Sequence, residues 1–182
     1  VAAIYTDVTE RVKAGEKLKE SEEKYRSMIT SMEDLVFSFD REGRFLSYHT
    51  PAESKLFVPP EMFIGKRYSE VMPPDVVKKL DQGFKRNAKR QSFDFEYSLE
   101  VGGQDCWFSA KMTPIVIDDE FKGAVAVVRD ITEMKAAESA LKTSQEQLNE
   151  LFQASTNGIG VEKDGNLFMV NPSFLEMFGY GN

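Results

Sequence analysis

Apolar side chains recur at every second position in LVFSFD (35–40) and again in RFLSYH (44–49), with the turn Arg41-Glu42-Gly43 between them. That pattern predicts a β-hairpin. A Pro-broken stretch from Pro51 to Pro74 is too interrupted for a long element and fits short helices. From Pro74 the period changes: Val76, Leu80 and Phe84 in PDVVKKLDQGFKRNAKR (74–90) fall at helical spacing, with a proline where a helix tolerates one. Alternation returns in QSFDFEYSLEV, where Phe93, Phe95, Tyr97 and Leu99 share one face. CWFSAKMTPI follows the turn Gly102-Gly103, and FKGAVAVVRD closes the set. Two strands, short helices, one longer helix and three strands imply an α+β domain: a five-stranded antiparallel sheet with the helices gathered on one face.

The flanks are patterned differently, and they repeat. Residues 130–146, DITEMKAAESALKTSQE, match residues 7–23, DVTERVKAGEKLKESEE, at eight of seventeen positions, 123 residues apart. Each copy opens with an acid and a glutamate three residues later, Asp7 with Glu10 and Asp130 with Glu133, as in a capping box, so each predicts a helix start. A β-branched, alanine-containing run precedes each, AAIYT (2–6) and AVAVV (124–128), reading as a strand that feeds the helix directly. Along the second helix Met134, Ala137, Leu141, Ser144, Leu148 and Leu151 form a seam in steps of three and four. Ala14, Leu18, Ser21, Tyr25, Met28 and Met32 do so along the first. Such polar helices are either solvated struts or coiled coils that need a second helix beside them.

The last segment, LFQASTNGIGVEKDGNLFMVNPSFLEMFGY, repeats MITSMEDLVFSFDREGRFLSYHTPAESKLF, with the turn Asp164-Gly165 opposite Glu42-Gly43. The expected organisation is therefore the last strand of a preceding unit at 1–7, a linker helix at 8–32, a complete unit at 33–132, a second linker helix at 133–155, and the opening of a following unit at 156–182. On this reading the chain is a piece of something longer. The strand at 1–6 and the hairpin at 158–170 would pair with each other or with a second copy.

Composition narrows the chemistry. Of 182 residues, 41% are hydrophobic and 29% charged, so a packed core is expected, and the net charge of -7 with no long basic run argues against nucleic acid or an anionic membrane as a partner. No apolar run approaches the roughly 20 residues of a membrane helix. With one cysteine, Cys106, and one histidine, His49, neither an intrachain disulfide nor a Cys/His zinc cluster can be assembled. No metal site is expected, and a cytoplasmic setting is, although a longer parent chain could be membrane-anchored.

These residues resemble the PAS family of sensory domains. The resemblance is carried by Phe39, Asp40 and Gly43 in the first hairpin, Ile64-Gly65-Lys66 before the helices, Trp107 to Ile115 in the fourth strand, and Arg129-Asp130-Ile131-Thr132-Glu133 after the last strand. It covers about residues 23–133 as a full domain. It implies the PAS fold with long linker helices on both sides, in a tandem array within a sensor such as a histidine kinase. The expected partners are a second copy, paired through the linker helices, and neighbouring PAS and output domains. No kinase ATP site, phosphoacceptor histidine or cyclase motif is present in the sequence, so no catalytic residues are assigned.

Two candidate sites follow from the resemblance. Asp130, Ile131, Thr132 and Glu133 would form a signal-relay junction, with Asp130 and Thr132 bonding free backbone N–H groups to fix the outgoing helix. Between sheet and helices, Phe37, Phe39, Phe84, Phe108, Ala110, Met112, Ala124, Ala126 and Val128 would face inward and either fill the core or line a pocket for a small apolar ligand. Trp107, Ser109, Lys111, Val125 and Val127 would face outward, under a cover such as the first helix around Tyr25 and Ile29. Tyr48 and His49 would stand exposed at the rim. No cofactor is expected. The long helix, residues 75–89, has no histidine for haem, the segment KRYSEVMP lacks the reactive cysteine of a flavin photosensor, and nothing brings Cys106 and His49 together as a dyad.

Overall fold

The computed structural model describes residues 9–180. The chain divides into two compact units, 1–132 and 133–182. No helix among the described residues is long and apolar enough to cross a membrane. The strand expected at 1–6 and the Asp7 cap lie outside the described residues.

In the first unit, helix α1 (Thr9–Thr30) leads into the hairpin β1 (Leu35–Asp40) and β2 (Phe45–His49). Asp40 closes the turn by accepting from Arg44 N–H at 2.7 Å, and Gly43, at φ 83°, supplies the left-handed residue the turn requires. A 3₁₀ turn (Glu53–Lys55) and two four-residue helices, α2 (Pro60–Phe63) and α3 (Tyr68–Val71), then cross one face, as the prolines demand. Helix α4 (Pro74–Asn87) ends earlier than the spacing suggests, because the chain reverses at Arg90, φ 62°. There Asn87, fully buried, donates to the carbonyls of Gln91 (2.8 Å) and Met112 (3.4 Å) and ties the helix end to the sheet. Strands β3 (Phe93–Val101), β4 (Gln104–Ile117) and β5 (Glu120–Asp130) complete an antiparallel sheet in the order β2-β1-β5-β4-β3.

The five strands and the one-sided helices are the α+β arrangement read from the alternation. The core lies between them. Phe37, Phe39, Phe45, Phe63, Tyr68 and Phe84 pack ring to ring at centroid distances of 4.7–6.4 Å, mostly edge to face. The outer face differs from expectation. Helix α1 leaves Tyr25 64% and Trp107 40% exposed, so it does not seal that surface. A helix with charged side chains on most of its faces gains little by lying on a half-polar sheet.

The second unit contains α5 (Thr132–Ala154), whose first residue still belongs to the preceding unit, then β6 (Gly160–Lys163), β7 (Asn166–Val170) and α6 (Pro172–Met177). Strands β6 and β7 pair with each other as a two-stranded hairpin. Asn171, fully buried, holds it: its Oδ1 accepts from Ile159 N–H (2.7 Å) and Phe174 N–H (3.0 Å), while its Nδ2 donates to the carbonyls of Asn157 (2.9 Å) and Ser155 (3.3 Å).

Candidate functional site

Strand β5 runs into α5 with one residue, Ile131, between them. Ile131 is buried and donates its N–H to the carbonyl of Trp107 at 2.8 Å, so the sheet continues one step past the last ladder pair, Phe108 with Asp130. The Asp130 carboxylate accepts from the N–H of Thr132 at 3.0 Å and from its hydroxyl at 2.6 Å. The Thr132 hydroxyl oxygen in turn accepts from Trp107 N–H at 2.9 Å. One carboxylate and one hydroxyl thus bolt the first helical residue to the backbone of β4. Each of these donors would otherwise compete for water at the end of the sheet.

Two details differ from the expected capping. Asp130 binds two residues ahead, as in an Asx turn, instead of entering a reciprocal box with Glu133, which remains exposed on the first turn of α5. Thr132 turns its hydroxyl to the sheet and not to a helix N–H. The Asp130 carboxyl is also acidified. Burial alone would raise its pKa, but the hydroxyl and N–H of Thr132, together with Lys55, whose Nζ stands 3.9 Å from Oδ2, hold it below the ordinary carboxylate value.

Sequence reasoning did not single out Lys55, the Trp107 backbone, or the pair formed by Arg129 and Asp34. Arg129 Nε donates to Asp34 Oδ1 at 3.0 Å and its Nη2 to Oδ2 at 2.9 Å, a bidentate fork. The two residues are 95 positions apart, and only the pairing of β1 with β5 makes them neighbours.

The interior collects the residues expected to face inward. Phe37, Phe39, Phe108, Ala110, Met112, Ala124, Ala126 and Val128 are buried, and Phe84 is half-buried, stacked on Tyr68 at 5.1 Å. Tyr48 is not a free rim group, since its ring packs edge-on against Phe63 at 5.4 Å. His49 lies on the opposite face of the sheet, paired with Val36, with a buried Nε2 that has no hydrogen-bond partner among the described residues. Cys106 shares the inner face with its pair Leu99, so thiol and imidazole are on opposite sides of the sheet and cannot form a dyad.

Among the described residues, small apolar voids of about 20, 20 and 30 Å³ are lined in part by Phe37 and Met72. Each has about the room of one water, and the lining is mostly apolar, with Lys55 in one. Tyr97 lines two of them, and burial pushes its phenol pKa well up. Tyr68 shifts the same way, through burial and its 2.6 Å bond to Asp81.

Comparison with known proteins agrees with this geometry. A family model described as the PAS fold matches residues 29–136, and one described as a PAS domain matches residues 146–182. Among solved structures, the PAS domain of an HTR-like protein from Haloarcula marismortui is similar at 16% identity and a TM-score of 0.50, covering 65% of this chain and 98% of that one. The PAS domain of BvgS from Bordetella pertussis is similar at 20% identity and a TM-score of 0.49, covering 71% and 98%. That of the histidine kinase ThkA gives 16% and 0.43, covering 54% and 100%. No protein of curated function matches the chain.

Proposed function

Because the chain belongs to the PAS fold family, with one model covering residues 29–136, we propose that it is a sensing and relay module of a multidomain signalling protein, passing its signal from the sheet into α5 through Asp130, Ile131 and Thr132. The observation that carries this reading is the set of bonds joining Asp130, Thr132 and Trp107, which fixes the first residue of the helix to the backbone of β4. A small slide of β5 against β4 strains those bonds and reorients the helix start, and a shift of the helix start pulls back on the sheet. Losing one cap of this kind costs about 1 kcal/mol, enough to bias a two-state equilibrium severalfold.

The input on this reading is the neighbouring unit or a small apolar ligand, and no cofactor. Nearly complete filling of the interior favours the neighbour, since a guest larger than a methyl group requires Phe37 or Met72 to swing aside. The output enzyme, a histidine kinase on this reading, belongs to the parent chain on the cytoplasmic side. In a full-length parent, Asp130→Ala and Thr132→Ala should uncouple input from output while the domain stays folded. Signalling that responds as in the wild type would end the proposal.

A second reading has its own support. Met134, Leu141, Leu148 and Leu151 lie exposed at coiled-coil spacing along α5, which favours a helix that pairs with a second copy and acts as a dimerisation scaffold. Sedimentation of the chain with and without residues 133–155 separates the contributions of helix and domain to association, and a monomer at high concentration would end the scaffold reading.

A further inference from the structure

The way into the domain and the way out of it meet at the same end of the sheet. Helix α1 stops at Thr30, four residues before Asp34, and β1 starts at the next residue, Leu35. Strand β5 leaves at Asp130, one residue after Arg129. Leu35 is opposite Val128 in the ladder, so Asp34 and Arg129 come level on the outer face, where the guanidinium grips both carboxylate oxygens. Both Leu35 and Val128 are buried, so the two charges are held in register by the core and cannot drift apart unless the strands slip.

We propose that Asp34 and Arg129 form a clasp by which the incoming helix α1 acts directly on the exit junction, bypassing the interior. This rests on the junction reading above and adds its input contact. The path is short. A displacement at the end of α1 moves Asp34, the bidentate fork carries it to Arg129, and the adjoining residue is Asp130, whose carboxylate fixes Thr132. A two-point fork transmits direction as well as force, which a single ammonium contact does not. Arg129 is a positioning residue, acting through Asp130. The Asp34 side chain is largely covered, at 17% exposure, and Arg129 is 70% exposed, so geometry and not charge strength carries the contact: solvent screens the pair as it does other surface bridges.

The test is hydrogen exchange on the whole 182-residue chain, comparing wild type with Asp34→Ala, Arg129→Ala, the double alanine, the swap Asp34→Arg with Arg129→Asp, and Asp130→Ala as reference. Circular dichroism verifies that each variant is folded. Asp34→Ala should speed exchange of amides 131–136 about threefold, although it lies at the other terminus of the domain. The double variant should be no worse than either single one, and the swap should return the rate towards wild type. Faster exchange confined to 31–36, additive singles, or a swap without rescue would each overturn the clasp. If Asp130→Ala alone speeds 131–136, the clasp is wrong and the junction stands. If Asp130→Ala changes nothing there, the junction reading falls first and takes the clasp with it.

Discussion

The hairpins β1–β2 and β6–β7 descend from the same sequence pattern and live in different surroundings. Both turn at a glycine with φ near 80°, and both slip register by a bulge midway. In the first, alternate residues are buried under helices and β5 supplies a third strand. In the second, Phe168 is 74% exposed and no further strand joins among the described residues. Turn chemistry is therefore enough to shape a hairpin, while burial has to come from elements distant in sequence. An isolated pair of strands is marginal in water, and the four bonds of Asn171 take the place of the missing core.

The comparison can be broken most sharply with one aromatic from each hairpin. Phe39 packs on Phe45, Tyr68 and Phe84, and Phe39→Ala should lower the stability of the first unit by about 3–5 kcal/mol in urea titration. Phe168→Ala should change that of the second by about 0.5 kcal/mol or less. Gly123 offers a backbone test of the first hairpin's third strand. A Cβ there would lie 2.0 Å from the Phe39 carbonyl, so Gly123→Ala should force β5 from β1 at about 2–3 kcal/mol, read as lost amide protection in both strands.

Asn171→Ala sharpens the other side. It strands the N–H of Ile159 and the carbonyl of Asn157, while the Phe174 N–H keeps the backbone carbonyl of residue 171, and should cost about 1–2 kcal/mol, with faster exchange across 155–178 and an unchanged transition for the first unit. The smallest effect concerns pH. The lowered pKa of Asp130 means that its contribution is full above the ordinary carboxylate value of about 3.9 and is lost as pH falls through the lower folded value. Acid titration should loosen amides 131–136 below about pH 4 before the core melts, and Asp130→Ala should abolish that step.

What could be read from the sequence was what is local or periodic. Alternation groups Phe37 with Phe39 and Ala124 with Ala126 and Val128, the resemblance to the PAS family says which group faces inward, and the Asp130-Ile131-Thr132 handover is announced by a strand running into a helix start. What escaped depends on strand order. Arg129 could not be matched to Asp34 before β5 was known to lie beside β1, nor could the Thr132 hydroxyl be assigned to Trp107 before β4 was known to flank β5. Tyr48 was misplaced for a subtler reason: the bulge between Ser38 and Phe39 and their partners shifts the parity of β2, so a residue read as rim turns inward. Exposure of Trp107 was equally illegible, because a charged helix beside an apolar strip does not reveal whether it will lie down on it.

The order β2-β1-β5-β4-β3 places the first and last strands of the domain side by side, with the chain arriving and departing at one end. A domain wired this way can be copied, inserted or dropped from a string without rerouting its neighbours, since only two adjacent chain ends need splicing. The near-duplicate stretches 123 residues apart fall where such joints would have to lie.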